Sequence, residues 1–421
     1  MIKELYRYST ALTSQLPFCA TPLRLDSYNN CSFGCAYCFA KTRQGFGREQ
    51  SLKIGNPEIL KKRLERVSNG KISSALDEFL YKKIPFQLGG MSDPFSTFEE
   101  NAGVTLDYIK ILNEFHYPFI VSTKGTVLSN DKYLLELKKS NCYIRFSTTI
   151  ITEEFRESVD RKCPPLHEVI ACAGMLASHG LPVSFRFQPV IPGHEDSAIY
   201  LIEQAAKCGV KHISAEYLKV PIDANLKFGS SLKKMLFGNP VQYYNSLGAF
   251  KLGREFSLPI EVRQNSLIEI YKSTKSFGLS FGFADNDLLH YSDGNSCCGA
   301  ADLYLKNAGF FRGNVLGAIK NKEIGEKVYF SELLDHWIPS EKISSYLNSK
   351  ARISIDNKEL PEWVGYLMQI WKGELGIFKP SFFNGIFQTS ELDAFGLPVY
   401  IRKHTPFSLQ LDKIKLNESV C

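Results

Sequence analysis

Strand-like and helix-like segments take turns six times between Leu23 and Tyr217, and no other feature restricts the possible folds so strongly. Residues 22–28 alternate apolar and polar side chains, as a half-buried strand does, and end at the turn-forming pair Asn29-Asn30. Further strands are expected at residues 84–90, 118–122, 142–147, 182–187 and 211–216. Helices are expected between them. One begins at Pro57 behind the capping residue Asn56, with Ile59, Leu60, Leu64 and Val67 inward. Another covers 104–115, with Leu106, Ile109, Ile111 and Leu112 inward, and others cover 131–139, 166–179 and 199–208. Strands joined in sequence by helices imply a parallel sheet with right-handed crossovers. The expected fold class is α/β, a partial (βα)6 TIM-like barrel with a C-terminal extension. In such a fold the site lies at the carboxyl ends of the strands.

The alternation fades after Pro221. A helix is expected over residues 243–256 and a further strand over 279–284, and all three tryptophans (Trp337, Trp363, Trp371) fall beyond residue 330. The chain thus divides into a lead-in at 1–20, a barrel at 21–220, an extension at 221–330 and a C-terminal region at 331–421. Residues 1–20 read as irregular and 41–55 as loop.

Totals exclude some classes. With 44% apolar and 22% charged residues in 421, the chain has the composition of a soluble globular protein. A net charge of +6 is too mild to argue by itself for a nucleic-acid module. No run approaches the ~20 apolar residues of a membrane span, and residues 1–7 hold no signal-peptide core. Eleven cysteines, an odd number, suit a metal site in the reducing cytoplasm better than a disulfide framework.

The chemistry concentrates in Cys31-Ser32-Phe33-Gly34-Cys35-Ala36-Tyr37-Cys38, directly after the first strand. Thiolates select iron–sulfur clusters, zinc or copper(I). A complete cluster site uses four cysteines, so three leave one iron open to another ligand. A structural zinc site needs a second ligand pair, but only Cys19 is near and no His pair follows. Incidental thiols in a packed loop are the remaining alternative.

Cys31, Cys35 and Cys38, with Tyr37 before the last, resemble the pattern of the radical SAM enzymes. Gly89-Gly90-Met91-Ser92-Asp93-Pro94, Ser122-Thr123-Lys124-Gly125, Arg145-Phe146-Ser147-Thr148-Thr149 and Pro189-Val190-Ile191-Pro192-Gly193 follow in the order of the branch similar to spore photoproduct lyase. The resemblance covers about residues 20–220. It implies a 4Fe-4S cluster on Cys31, Cys35 and Cys38 whose open iron takes the amino and carboxylate groups of S-adenosyl-L-methionine (SAM). It also implies reductive SAM cleavage to a 5′-deoxyadenosyl radical that abstracts hydrogen from substrate, and a flavodoxin- or ferredoxin-type electron donor. Ser92, Lys124 and Ser147 would contact the methionine part or the ribose. Arg186 would serve the same carboxylate, Asp93 the ribose hydroxyls or a helix cap, and Tyr37 would pack beside adenine and cluster. One departure stands out: a hydrogen-donating cysteine of spore photoproduct lyases has Gly90 at its matching position. A nucleic acid or nucleoside is the favoured substrate. A peptide or small molecule is the alternative, and a cluster- and SAM-binding module without turnover is a reading of another class.

A second polar stretch, residues 285–299, ends in Cys297-Cys298-Gly299. Three readings compete: a loop over the barrel mouth that supplies a radical partner from Cys297, Cys298 or Tyr291, a second metal site helped by His290, or plain packing. Cys142, Cys172 and Cys208 read as core, and Cys163 as a loop thiol without evident partners.

Overall fold

The computed structural model describes residues 4–40, 51–150, 152–347 and 360–418; most of the expected 41–55 loop lies outside them. Eight strands form the central sheet, lying side by side in chain order: β1 (Thr10–Leu12), β2 (Leu23–Leu25), β3 (Phe86–Leu88), β4 (Phe119–Thr123), β5 (Cys142–Ile150), β6 (Val183–Val190), β7 (His212–Tyr217) and β8 (Ser280–Phe283). β1 runs antiparallel to β2, and every later pairing is parallel. β1 and β8 are the two edges, so this is a partial, open TIM-like barrel. The six expected strands are present and the stretch at 279–284 adds a seventh parallel one. The lead-in is less irregular than its sequence reads, because Leu12, Leu16 and Phe18 are buried and β1 extends the sheet.

Register sorts the side chains into two faces. Leu25, Leu88, Val121, Ile144 and Val183 lie on the outer face, fully or almost fully buried. Each such side chain contributes about 1.5–3 kcal/mol. The opposite, inner face is polar: Gln87, Ser122, Arg145, Ser147, Arg186, His212 and Ser214 occupy it at matching positions.

The helix Pro57–Ser68 starts where expected, with the Asn56 side chain accepting from the Glu58 N–H at 3.0 Å. Leu60, Leu64 and Val67 are buried, but Ile59 is 58% exposed, one residue round from the inward face. The helix Val104–Glu114 buries Tyr108 with Ile109, Ile111 and Leu112, while Leu106 is half-buried. The expected helix at 243–256 is only partly formed. It spans Pro240–Ser246 and stops before Gly248, whose φ is +74°. A hairpin of Phe250–Leu252 and Glu255–Ser257 follows, and then the helix Ile260–Ser276, which the apolar pattern did not announce.

Residues 297–311 run as a strap across the amino-terminal ends of the strands. The Tyr143 hydroxyl donates to the Cys298 carbonyl at 3.4 Å, and Asn141 and Lys306 exchange two hydrogen bonds. Gly309 N–H donates to the Lys83 carbonyl and Phe311 N–H to the Ala20 carbonyl, each at 2.9 Å. Cys298 and Leu305 pack with Ile120 and Tyr143 of the inner face. The C-terminal region adds a three-stranded antiparallel sheet, Lys327–Val328, Pro398–Arg402 and Ile386–Leu392. It shares the barrel's core: Phe378 meets Phe18 at 4.5 Å between ring centres, and Phe407 meets Phe283 at 5.6 Å. No helix among the described residues is long and apolar enough to cross a membrane.

Candidate active site

β2 delivers the chain to the end of the sheet opposite the strap, and the cysteine loop begins six residues after Leu25. The Asp26 carboxylate accepts from the Met91 N–H at 2.7 Å and the Ser92 N–H at 3.3 Å, tying the exits of β2 and β3 together. Within the loop, the Asn30 side chain accepts from the Cys31 N–H at 2.9 Å, and Cys38 N–H donates to the Cys35 carbonyl at 3.2 Å. Gly34 sits at φ +66°, a left-handed turn that a side chain would strain. None of Cys31, Cys35 and Cys38 is in a disulfide. Burial, with Asp93 nearby, pushes the Cys31 thiol up to about 12.

A second segment is bound to this loop. Ala36 N–H donates to the Val159 carbonyl at 2.8 Å, and Lys162 N–H to the Phe33 carbonyl at 3.3 Å. Those contacts bring in two residues that the sequence reading did not assign to the site, Asp160 and Cys163. The Cys163 sulfur lies 3.8 Å from that of Cys35, which replaces the expectation that Cys163 has no partner. Donor atoms of Cys35, Asp160 and Cys163 all fall within 4.8 Å of one another. Contact with Cys163 and then burial push the Cys35 thiol well above its ordinary range.

Asp160 is 2% exposed and collects the site's polar groups. Tyr37 Oη donates to one carboxylate oxygen, Thr149 Oγ1 donates to the other at 2.9 Å, and Lys124 Nζ lies 3.5 Å from the latter. Burial opposes its charge, but Lys124, with these hydrogen bonds, holds the carboxyl below the usual range. Burial likewise opposes the charge on Lys124, and Asp160 with the Cys35 and Cys163 thiols outweighs it, so the ammonium is held above its ordinary value. Lys124 also donates to the Ser147 carbonyl at 3.2 Å and stands 5.4 Å from the Tyr37 ring centre. The next residue must be glycine, because a Cβ at Gly125 would come 2.3 Å from the Phe95 carbonyl oxygen.

The structure therefore brings Cys31, Cys35, Cys38, Tyr37, Lys124 and Ser147 to one end of the sheet. Ser92 and Asp93 are there too, with their polar atoms in use: Ser92 Oγ donates to the Tyr28 carbonyl at 2.6 Å. Asp93 accepts from Thr123 Oγ1 at 2.7 Å, Phe95 N–H at 2.9 Å and Lys124 N–H at 2.6 Å, tying the exits of β3 and β4 together, while the helix that follows is capped at Ser96. Arg186 lies on the inner face beside Ser147 in register, paired with Glu216 at 2.8 Å. Glu216 also accepts from Gln188 and from Lys219, the latter at 2.5 Å. Deeper on this face Arg145 is 3% exposed and donates to Gln87 at 3.3 Å and Ser122 at 2.7 Å. It has no carboxylate partner among the described residues, and its Nε is unpartnered. The Gly90 position is covered by Arg24, whose Cγ would be 2.5 Å from an added Cβ.

Cys297 and Cys298 belong to the strap, at the end of the sheet opposite the cysteine loop, which departs from the picture of a loop over the mouth. The Cys298 sulfur is 3.4 Å from Thr21 Oγ1 and 3.2 Å from Ser296 Oγ. The adjoining Cys297 thiol, the Arg145 guanidinium and these hydroxyls hold Cys298 below its ordinary range against burial. Tyr291 is not with them. Its ring packs on Phe407 at 5.4 Å and its hydroxyl on Asn384 at 3.1 Å. His290 is buried beside it with both ring nitrogens unpartnered, and the one group of three candidate metal donors found among the described residues is at Cys35.

Residues 25–205 match the model of the radical SAM superfamily. Among curated proteins nothing matches. Similar solved structures include a cysteine-to-serine mutant of spore photoproduct lyase, at 13% identity and TM-score 0.48 over 65% of this chain and 77% of that one. Spore photoproduct lyase complexed with dinucleoside spore photoproduct gives 15% and 0.48 over the same shares. SuiB from Streptococcus suis bound to S-adenosylmethionine gives 11% and 0.35, over 55% of this chain and 48% of that one. The family match spans the cysteine loop and five of the seven parallel strands, from the end of β2 through β6, and this radical SAM domain marks the chain as an enzyme.

Proposed function

We propose that Cys31, Cys35 and Cys38 hold a 4Fe-4S cluster, that SAM binds beside it, and that the substrate lies along the polar inner face. The observation that carries this reading is the set of three unbridged thiols on one loop, next to the buried Lys124–Asp160 pair, at the carboxyl end of the first parallel strand. The donor set fits: soft thiolates suit iron–sulfur, and a buried ammonium suits the negative charge of a thiolate-bound cluster and of a methionine carboxylate. When bound, the cluster supplies the electron for reductive SAM cleavage, which in turn removes hydrogen from substrate.

The chain's own residues do the rest. Tyr37 is anchored by Asp160 and is assigned to pack beside adenine and cluster. Lys124 reaches from the end of β4 toward Ser147 and is the candidate for the SAM carboxylate. Ser92, Asp93 and Ser147 then act in SAM binding chiefly through backbone and position, since the first two spend their side chains on the turns that shape the site. Arg186 is assigned to the substrate side, with Glu216.

Arg145 supports an anionic substrate. A buried guanidinium without a carboxylate is costly unless something negative completes it. A nucleotide or nucleic-acid phosphate meets that need through bidentate hydrogen bonds. Cys297 and Cys298, below Arg145, are the candidate radical partners on this face; Tyr291, held in the core, serves packing. A flavodoxin- or ferredoxin-type donor in a reducing cytoplasm completes the reading.

The test is anaerobic reconstitution with iron and sulfide, then reduction in the presence of SAM. Formation of 5′-deoxyadenosine is expected. A protein that binds the cluster yet never cleaves SAM, with nucleotides, peptides or DNA present, would be a binding module instead.

A further inference from the structure

Residues 224–254 carry five basic side chains and no acidic one, against a surplus of six for the whole chain. They follow β7 at the end of the sheet where the cysteine loop lies, and fold as three short helices and a strand. One of these helices, Ser230–Met235, packs on the helix Glu153–Val159, which runs straight into the turn fastened to the cysteine loop. Arg161 and Lys162 in that turn are exposed. The Lys162 N–H donates to the Phe33 carbonyl within the cysteine loop. The Arg161 guanidinium reaches the start of the 230–235 helix, where a Cβ on Gly229 would stand 3.1 Å from its Nη2. Asp223 neutralises Lys227 at 2.6 Å, but Arg161, Lys162, Lys233 and Lys234 make no ion pair among the described residues. Apolar side chains stand in the same stretch: Leu226 is 89% exposed and Phe237 75%. Phe237 is held there by a left-handed backbone at φ +54°, which a bulky residue adopts only at a cost. A merely solvated basic face has no use for a strained, exposed aromatic. Apolar side chains set amid unpaired like charge are the anatomy of a protein interface.

We propose that this surface, Arg161, Lys162, Lys233 and Lys234 with Leu226 and Phe237, docks an acidic one-electron carrier protein. The inference rests on the cluster reading above and gives its electron donor a place. Charge complementarity selects the class of partner: unpaired lysine and arginine attract a protein face rich in carboxylates and speed its encounter. Leu226, which has no ring for a base to stack on, favours a protein over a nucleic acid. Location selects the task. Arg161 and Lys162 share a turn with Cys163, whose sulfur is 3.8 Å from that of Cys35, so a carrier seated on them is next to the cysteine loop. SAM and substrate keep the inner face. One electron passes from the reduced carrier to the oxidised cluster; the carrier is oxidised by one electron, and no bond or proton changes place.

The experiment compares reconstituted wild-type protein with the double variant Lys233→Glu, Lys234→Glu and with Phe237→Ser, timing cluster reduction by EPR and 5′-deoxyadenosine formation. The electron comes from reduced flavodoxin, from reduced ferredoxin, or from photoreduced 5-deazariboflavin, a small uncharged dye that needs no docking surface. With the carriers, the double variant is expected to be about tenfold slower at low salt. That difference is expected to vanish near 1 M salt, where charges are screened beyond about 3 Å. Phe237→Ser is expected to be several-fold slower at both salt concentrations. With the dye all three proteins are expected to react alike, which also shows that the variants fold and hold the cluster. Equal carrier-driven rates in wild type and variants would overturn the inference, and so would equal losses with the dye or a wild-type protein that neither carrier reduces. A double variant that loses affinity for single-stranded DNA while its carrier-driven rates stay unchanged would give the surface to nucleic acid instead. A wild-type protein that takes up no cluster would overturn the proposed function together with it. One that cleaves SAM with the dye, while its carrier-driven rates ignore the charge reversal, would overturn this inference alone.

Discussion

At Cys35 two demands meet, since its sulfur is both a proposed cluster ligand and the neighbour of Cys163. Cys35→Ala is expected to abolish the broad iron–sulfur absorbance after reconstitution; a full cluster in that variant would remove it from the ligand set. Asp160 is the residue on which Tyr37, Thr149 and Lys124 converge. Replacing it leaves a buried ammonium unpaired, so Asp160→Asn is expected to lose about 3–5 kcal/mol of unfolding free energy in urea. A loss below about 1 kcal/mol would mean that Lys124 escapes to water. The three-thiol loop was legible because its spacing is local. Asp160 and Cys163 were not, because nothing in a lone Asp and Cys more than 120 residues downstream says that a turn will dock on that loop.

Elements were legible wherever local pattern and burial agree. The seven parallel strands follow from short apolar runs, and Asn56-Pro57 starts its helix through ordinary capping chemistry. The helix Ile260–Ser276 was harder, because Arg263 is buried on it, paired with Asp285 at 3.1 Å and Asp287 at 2.7 Å, and blurs its apolar stripe. The strap was hidden altogether, since backbone hydrogen bonds to residues 20 and 83 carry it and leave no periodicity. It tolerates no added bulk: a Cβ on Gly282 would stand 2.0 Å from the Cys297 carbonyl oxygen. Gly282→Ala is expected to cost about 1–3 kcal/mol or more and to raise the alkylation rate of Cys297 and Cys298, measured by urea titration and thiol labelling.

Lys320 holds the start of this region by donating to the carbonyls of His290, at 3.3 Å, and Ser292, at 2.5 Å. Burial, then Lys415, brings its ammonium down to about 8. Since the unfolded chain keeps the proton to higher pH, this group's penalty is full below its folded value and is relieved as pH rises from there toward the ordinary lysine value of ~10.4. Wild-type stability is therefore expected to gain on Lys320→Met between about pH 7 and pH 9.5; parallel urea midpoints would contradict it.

For the whole molecule, one apolar core runs from the lead-in through the barrel into the C-terminal region, joined at Phe18–Phe378 and Phe283–Phe407. Unfolding is expected to be a single transition, with fluorescence of the buried Trp371 and far-ultraviolet dichroism losing signal together; two separated transitions would mean the regions fold independently. None of this joining shows in composition. The strap, finally, has a kinetic meaning. Among the described residues it lies across one end of the barrel, which leaves the cysteine-loop end as an approach to the inner face. On the proposed function SAM and substrate share that approach, and their order of entry and exit is constrained by geometry. A substrate seated deep against Arg145 enters before SAM and leaves after the methionine fragment, which steady-state kinetics would record as a compulsory-order pattern with SAM as the second reactant.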